Sequence, residues 1–311
     1  MSDRCMICGN ESENEMFHVK ERMINRGGIF RYMKCGQCGA LQLVDEIENM
    51  SDWYPPNYGA WDISALKKRS HIARLANRAF MSAIMTLPVK GYLSDILWSK
   101  YGNFMILNEV KLKKTDAVLD VGCGSGRWLY ILNICGFKNL TGVDLYAPQA
   151  VDNIEFISGD VFKQSLKKYD LITYHHSFEH INNPLKTLQR TRDILKSNGK
   201  IIIRIPVMGG YAWDKYGTDW YQIDAPRHYL LHTVESMKLL CERAKLTIDK
   251  VVYDSGPSQL LISDMYKNSD KSFYEIYKSL KAVEKFRYLK ETFKLNHLGK
   301  GDSAVFFISE A

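Results

Sequence analysis

Short apolar runs bounded by turn residues recur through the middle of this chain, and stretches of helical spacing separate them. Residues 116–121, 140–144, 154–157, 169–174 and 200–205 each read as a short, largely buried strand. Residues 127–135 and 185–195 read as helices between strands, the second stopped by Asn198-Gly199 as a C-cap. Strands alternating with helices imply a parallel sheet covered on both faces, an α/β fold. Before this core, residues 64–108 are helical, with Ile72, Leu75, Ala76, Ala79 and Phe80 at helical spacing as a core stripe. After it come a helical insert over 260–298 and a closing strand over 303–309. At the N-terminus, residues 15–20 and 28–34 read as two short strands joined by the turn Asn25-Arg26-Gly27-Gly28. The chain thus divides into residues 1–44, a Pro-rich aromatic connector with helices over 45–114, and the α/β part over 115–311.

The first core strand leads into the most specific motif, Asp116–Gly126, D-A-V-L-D-V-G-C-G-S-G. Strand, glycine turn and helix N-terminus together let a ligand lie against bare backbone, with unpaired N–H groups facing it. The acid Asp120 stands two residues before Gly122, and Gly126 only two after Gly124, unlike the G-x-G-x-x-G of dinucleotide enzymes. Asp144 ends the second strand, 24 residues beyond Asp120, where an acid can accept both hydroxyls of a ribose. Asp160 follows the third strand. Taken singly, Asp144 and Asp160 also suit helix N-capping; their order behind the glycine loop favours the ligand.

Seven cysteines change the picture at the N-terminus. Four form two C-x-x-C-G knuckles, Cys5/Cys8 and Cys35/Cys38, with 26 residues between them. Two knuckles make a closed tetrahedral S4 site, so residues 1–44 read as a zinc ribbon with a structural metal. Disulfides are the alternative. They are disfavoured because no signal peptide is visible and Cys123, Cys135 and Cys241 read as buried and unpaired.

Composition points to an ordinary cytoplasmic enzyme with no membrane-spanning segment: 46% of residues are hydrophobic and none of the apolar runs approaches the ~20 residues a bilayer needs. The net charge of +7 is local. Residues 64–78 carry five basic residues and no acid, and residues 271–300 carry eight against three acids. Such runs read as solvated helix faces, or as attraction for an anionic substrate.

Chemistry on an open α/β sheet sits at the carboxyl ends of the strands. Two histidine-rich segments stand there: His175-His176-Ser177-Phe178-Glu179-His180 after the fourth strand, and Asp224-Ala225-Pro226-Arg227-His228-Tyr229 after the fifth, with His232 beyond. Five of the eight histidines are in these two segments plus His232. A histidine can accept a substrate proton near neutral pH. Glu179 and His180 suit a base with its orienting acid, a divalent-cation site, or, for His180, a helix-start contact. The expectation is His180 as base with His228 second, Glu179 orienting a histidine or a cation, and Arg227 meeting an anionic substrate group.

These motifs together resemble the class I S-adenosylmethionine (SAM) methyltransferases, within them bacterial enzymes with an N-terminal zinc-binding segment from surface-polysaccharide and deoxysugar pathways. The resemblance runs nearly end to end: the paired knuckles, W-Y-P-P-N-Y, D-V-G-C-G-S-G, H-S-F-E-H-I-N-N-P, and D-A-P-R-H-Y before the H-T-V-E-S helix start. Leu231-His232-Thr233 departs from the aromatic usual there. The resemblance implies a Rossmann-like sheet with its last strand antiparallel, and helices before the first strand in the place of lids. It implies SAM contacts at Asp120, Gly122, Cys123, Gly124, Gly126, Asp144, Leu145, Asp160, Val161 and His175, with Asp160 beside the adenine. It implies a small-molecule acceptor, an anionic carbohydrate, and leaves oligomeric state open. Three rivals remain. An RNA methyltransferase with a zinc ribbon would share the knuckles and basic runs, but Asn182-Asn183-Pro184-Leu185 lacks the stacking aromatic of an N-P-P-Y tetrapeptide. A non-catalytic SAM-fold protein and an NAD-dependent enzyme are the others.

Overall fold

The computed structural model describes residues 4–54, 71–86, 92–148, 153–159, 167–280 and 282–311. Asp160, Val161, most of the connector beyond Tyr54 and part of the first basic run lie outside the described residues.

Seven strands form the main sheet: β4 (Ala117–Val121), β5 (Asn139–Asp144), β6 (Ile154–Ser158), β7 (Tyr169–His175), β8 (Leu195–Pro206), β10 (Leu246–Tyr253) and β11 (Ser303–Glu310). Their order is β10-β11-β8-β7-β4-β5-β6. The pairs β4–β5, β4–β7, β5–β6 and β7–β8 are parallel, whereas β11 runs antiparallel to both β8 and β10. This is the class I methyltransferase sheet. Side chains alternate across it, as the pleat requires. Ile201, Ile203 and Ile205 of β8 face one apolar cluster with Ala304, Phe306 and Ile308 of β11, while Ile202, Val305 and Phe307 face another.

Helices α1 (His71–Thr86), α2 (Tyr92–Glu109) and α3 (Arg127–Ile134) cover the second face. The stripe expected on α1 is not the one buried: Leu75 and Phe80 stay exposed, and Met81, Ile84 and Met85 enter the core. Helix α2 is broken at Tyr101, whose φ/ψ is non-helical. The other face takes α6 (Val234–Arg243) together with the cysteine knuckles themselves, since Cys5, Ile7, Cys35 and Cys38 share one cluster with Met237, Leu240 and the sheet. The expected helix 185–195 is α4 (Pro184–Asp193), capped at its start by the Asn183 side chain. Its stop is not Asn198-Gly199. Those residues lie inside β8, where Asn198 takes φ 65° in an irregular stretch that shifts the register against β7.

The N-terminal strands β1 (Glu15–Lys20), β2 (Ile29–Lys34) and β3 (Leu41–Leu43) are antiparallel and acquire a fourth, β9 (Leu230–Leu231), from the α/β part. Thr233 N-caps α6 and donates its hydroxyl to Cys38 O at 2.7 Å, and Tyr32 donates to His228 O at 2.8 Å. Arg243 of α6 donates to Ile7 O. The ribbon is therefore stitched onto the segment 224–233. The helical region after β10 separates into α7 (Pro257–Asn268), α8 (Phe273–Ser279) and α9 (Ala282–His297); the short helix α5 (Tyr211–Tyr216) packs on α7. Among the described residues no helix is long and apolar enough to cross a membrane.

Candidate active site and cysteine centre

The glycine loop sits at the carboxyl end of β4, next to β5 and β7. Gly122, Gly124 and Gly126 all have positive φ, +75°, +52° and +71°. At Gly122 a Cβ would meet the Ser177 side chain, with Oγ at 2.9 Å; at Gly126 it would meet the Phe156 ring, with Cε1 at 2.5 Å. Glycine is required there by both backbone and space. Asp144 holds the loop: one carboxylate oxygen accepts from Gly124 N and the other from Tyr146 N, each at 2.9 Å. A carboxylate has further lone pairs beyond those two, and Asp144 is only half-buried beside the exposed Leu145 and Tyr146. An acid with spare acceptors next to apolar surface and a glycine cradle fits a nucleoside.

Asp120 lies beneath this loop, buried, its carboxylate accepting from Thr173 Oγ1 at 2.9 Å. Burial outweighs that hydrogen bond and raises its pKa to about 7. Cys123 is half-buried, and burial pushes its thiol well up, so it is no nucleophile. His175 packs its ring on Trp128, centroids 4.8 Å apart, and both its ring nitrogens are out of solvent without a partner. Burial keeps it neutral.

The two histidine segments meet. The 3-10 turn Phe178–His180 follows β7, and Tyr229 N donates to Glu179 O at 2.9 Å, fixing one segment to the other. The rings of His180 and His228 lie 4.7 Å apart, edge to face. His228 Nε2 is 4.0 Å from Glu179 Oε1 and 3.9 Å from Asp224 Oδ2. Burial, with the charge of His180 adding to it, lowers the His228 pKa to about 4, so it is neutral at pH 7. Glu179 is 1% exposed. Burial alone would raise its pKa; the His176 hydrogen bond and the neighbouring imidazoles overcome this and hold it at about 2. Ser177, two residues before Glu179, donates to Val121 O at 2.6 Å, which places the cluster against the glycine loop.

Two features were not legible in the sequence. Tyr54, from the connector, reaches His180 Nδ1 at 3.1 Å. His176 adopts φ 53° and spans Arg204, at 2.7 Å from Nε2, and Glu179, at 3.5 Å from Nδ1. A positive φ at a histidine was the kind of strain no local pattern announces.

Arg227 corrects an expectation. It does not face a substrate: its guanidinium is fully buried and engaged by Asp224 at 2.6 Å, Glu21 at 3.0 Å and Trp53 O at 2.6 Å. Glu21 in turn accepts from the backbone of Met23, Ile24 and Arg26. Arg227 is a clamp between the ribbon and the Asp224–Tyr229 segment. His232 is buried, its ring against Phe178 and its Nδ1 bonded to Ser236.

The four knuckle cysteines converge, with their sulfurs all within 4.8 Å of one another. Cys5–Cys38 and Cys8–Cys35 are 3.6 and 3.5 Å apart. A tetrahedral zinc with ~2.3 Å bonds needs about 3.8 Å between sulfurs, so the set fits. The knuckles are built alike: Gly9 N donates to Cys5 O and Gly39 N to Cys35 O, while Ile7 N and Cys38 N donate to the first sulfur of each. The close Cys5–Cys38 contact pulls the Cys5 thiol down and pushes that of Cys38 up, as two sulfurs sharing one proton do.

Residues 97–251 match the family model for a methyltransferase domain. The malonyl-[acyl-carrier protein] O-methyltransferase of Halalkalibacterium halodurans is 34% identical over 102 residues, 28% of this chain and 37% of that protein. The tRNA U34 carboxymethyltransferase of Campylobacter fetus is 23% identical over 168 residues, 49% of this chain and 58% of that one. The chain thus spans roughly a third to just over half of these curated relatives. Among solved structures, the cyclopropane synthase of Mycobacterium tuberculosis overlaps 68% of this chain and 87% of its own, at 14% identity and a TM-score of 0.43. Residues 97–251 match a methyltransferase domain, and the class I sheet they carry is completed by β11.

Proposed function

We propose that the chain is a SAM-dependent methyltransferase acting on a small, oxygen-rich acceptor such as a sugar, a nucleotide sugar or a polysaccharide precursor. The observation that carries this reading is the meeting of Glu179, His180 and His228 beside the glycine loop, at the carboxyl edge of the sheet. SAM lies across Gly122–Gly126, with Asp144 on its ribose. Leu145, Asp120, Cys123 and His175 are further SAM contacts in this reading; Asp160, assigned to the adenine, and Val161 lie outside the described residues. The sulfonium activates the methyl group when SAM is bound. The protein's own task is to align the acceptor and let its proton go. The reading gives that task to the histidine cluster, His180 first and His228 second, with Glu179 orienting them. Cys5, Cys8, Cys35 and Cys38 hold a structural zinc. The division into ribbon (1–44), connector and helices (45–114) and SAM-binding part (115–311) follows the work: the ribbon fixes the segment that carries His228. A cytoplasmic setting suits free thiols and SAM.

Calorimetry with SAM, then turnover of labelled SAM against a panel of nucleotide sugars, tests the reading. His180→Ala and His228→Ala should keep SAM affinity and lose ~10²–10⁴-fold in rate. Absence of SAM binding to the intact chain would end it. A second reading, methylation of RNA, draws on the Campylobacter relative, whose name places its substrate in tRNA. The same labelled assay with tRNA decides between them.

A further inference from the structure

The cluster formed by Glu179, His180 and His228 has an excess of acceptors. His228 Nδ1 lies 2.8 Å from Gln222 O, and a carbonyl only accepts, so Nδ1 carries the hydrogen and Nε2 the lone pair. His180 Nδ1 lies 2.9 Å from Arg227 O, which fixes its tautomer in the same way. Arg204 only donates, so His176 Nε2 accepts from it and His176 Nδ1–H turns to Glu179 Oε1. Glu179 Oε2 is out of solvent with no partner at all. The His228 Nε2 lone pair therefore looks toward two carboxylates, at 3.9 and 4.0 Å, with no proton of its own to offer.

Glu21, Asp224 and Glu179 bring three carboxylates into one buried region with the Arg227 guanidinium, where desolvation makes charge costly. Two imidazoles with Nδ1 anchored on backbone carbonyls, plus one carboxylate, form a donor set that suits first-row divalent metals, and anchoring of the far ring nitrogen is how proteins orient metal-binding histidines.

We propose that Glu179, His180 and His228 bind one divalent transition-metal cation, and that an oxygen of the methyl acceptor completes its coordination. One oxygen of Glu179 and one ring nitrogen from each histidine already lie within 4.8 Å of one another. Metal–ligand bonds of about 2.1 Å at right or tetrahedral angles place donors about 3.0–3.4 Å apart. The 4.0 Å between Glu179 Oε1 and His228 Nε2 is wider than that range, so these two side chains draw together when the cation binds. The inference rests on the preceding reading for the place of the acceptor. It makes a bound ion, rather than a free imidazole, the group that polarises the acceptor oxygen.

The experiment is a Co²⁺ titration of the full chain with its cysteine centre kept loaded with zinc, followed by calorimetry and visible absorption. One Co²⁺ per chain should bind, with the weak visible bands of nitrogen and oxygen ligands and no sulfur charge-transfer band. Glu179→Gln and His228→Asn should each weaken binding by at least ~10-fold, with melting curves confirming that they fold. X-ray absorption on the wild-type complex, showing imidazole but no sulfur neighbours, supports the site even if a variant fails to fold. No Co²⁺ binding to folded wild type, equal affinity in both folded variants, or a sulfur-only shell overturns it. SAM calorimetry on the same preparation separates the two claims: a protein that binds SAM but not Co²⁺ loses the cation site and keeps the proposed function.

Discussion

Replacing Glu21 by alanine probes the clamp that joins the ribbon to the segment carrying His228. Glu21 and Arg227 are both fully buried, and the pair spans 206 residues of sequence. Removing one partner of a buried ion pair costs about 3–5 kcal/mol, because the remaining charge stays out of water. Asp224 still faces Arg227, at 2.6 Å, which argues for the lower end. Against that, the backbone N–H groups of Met23, Ile24 and Arg26 lose their acceptor, at about 0.5–1.5 kcal/mol each where water does not replace it. A total near 3–5 kcal/mol results. With an unfolding entropy of about 2.1 cal/mol/K per residue over the whole chain, this lowers Tm by about 5–8 °C. Calorimetric melts of Glu21→Ala, Arg227→Met and the double variant make the measurement. The double variant should fall short of the sum of the singles by at least about 1 kcal/mol, since each single change strands the other's charge. A Glu21→Ala shift under about 2 °C, with Arg227→Met raising the acceptor KM at unchanged Tm, would show Arg227 to be a substrate contact and the reasoning wrong.

Metal analysis of the purified chain should find about one zinc per molecule, and Cys35→Ser should lose it together with part of the stability of the α/β core, because the knuckles pack into the sheet's own apolar cluster; full zinc occupancy in that variant would remove Cys35 from the ligand set. Gly126→Ala forces a Cβ against Phe156 at φ +71°, costing about 2–4 kcal/mol from left-handed strain and overpacking, and SAM affinity should drop by at least ~10-fold; unchanged affinity by calorimetry contradicts the tight loop. Asp120 has a folded pKa of about 7 against an ordinary 3.8, because burial disfavours its charge. Its contribution is fully present below pH 3.8 and is lost as pH rises to about 7. Asp120→Asn should therefore gain stability relative to wild type across that window, by a few kcal/mol at most, and a pH-independent difference in Tm between the two would refute the buried charge.

Local pattern was enough for the elements that depend on few neighbours. The apolar runs at 117–121, 140–144, 169–174 and 303–309 are strands because each is buried on both faces, and such a strand carries its own signature. The glycine loop and the cysteine knuckles were legible because tight turns and metal spacing tolerate few residue types. Where a local signal met a tertiary one, the tertiary one prevailed. Asn198-Gly199 reads as a helix stop, yet β8 pairs with β7 on either side of it, at Leu195 and again from Lys200. The stripe on α1 turned from Leu75 and Phe80 to Met81, Ile84 and Met85, because the sheet face and α2 set which side is covered.

The site itself divides in the same way. That histidines crowd the ends of the fourth and fifth strands was visible; what each does was decided by partners far away in the chain. Arg227 has the composition of a substrate contact, but Glu21 brings a buried carboxylate to it from the end of β1 and turns it into a clamp. Leu230–Leu231 becomes a strand only because Leu41 and Gln42 lie alongside. His180 acquires Tyr54, and Glu179 is left with an unpartnered oxygen next to His228, through the docking of the ribbon and its connector onto the sheet. Periodicity records how a residue sits relative to its near neighbours; burial, ion pairing and the protonation state of a histidine depend on long-range packing, and that is fixed only when the chain closes on itself.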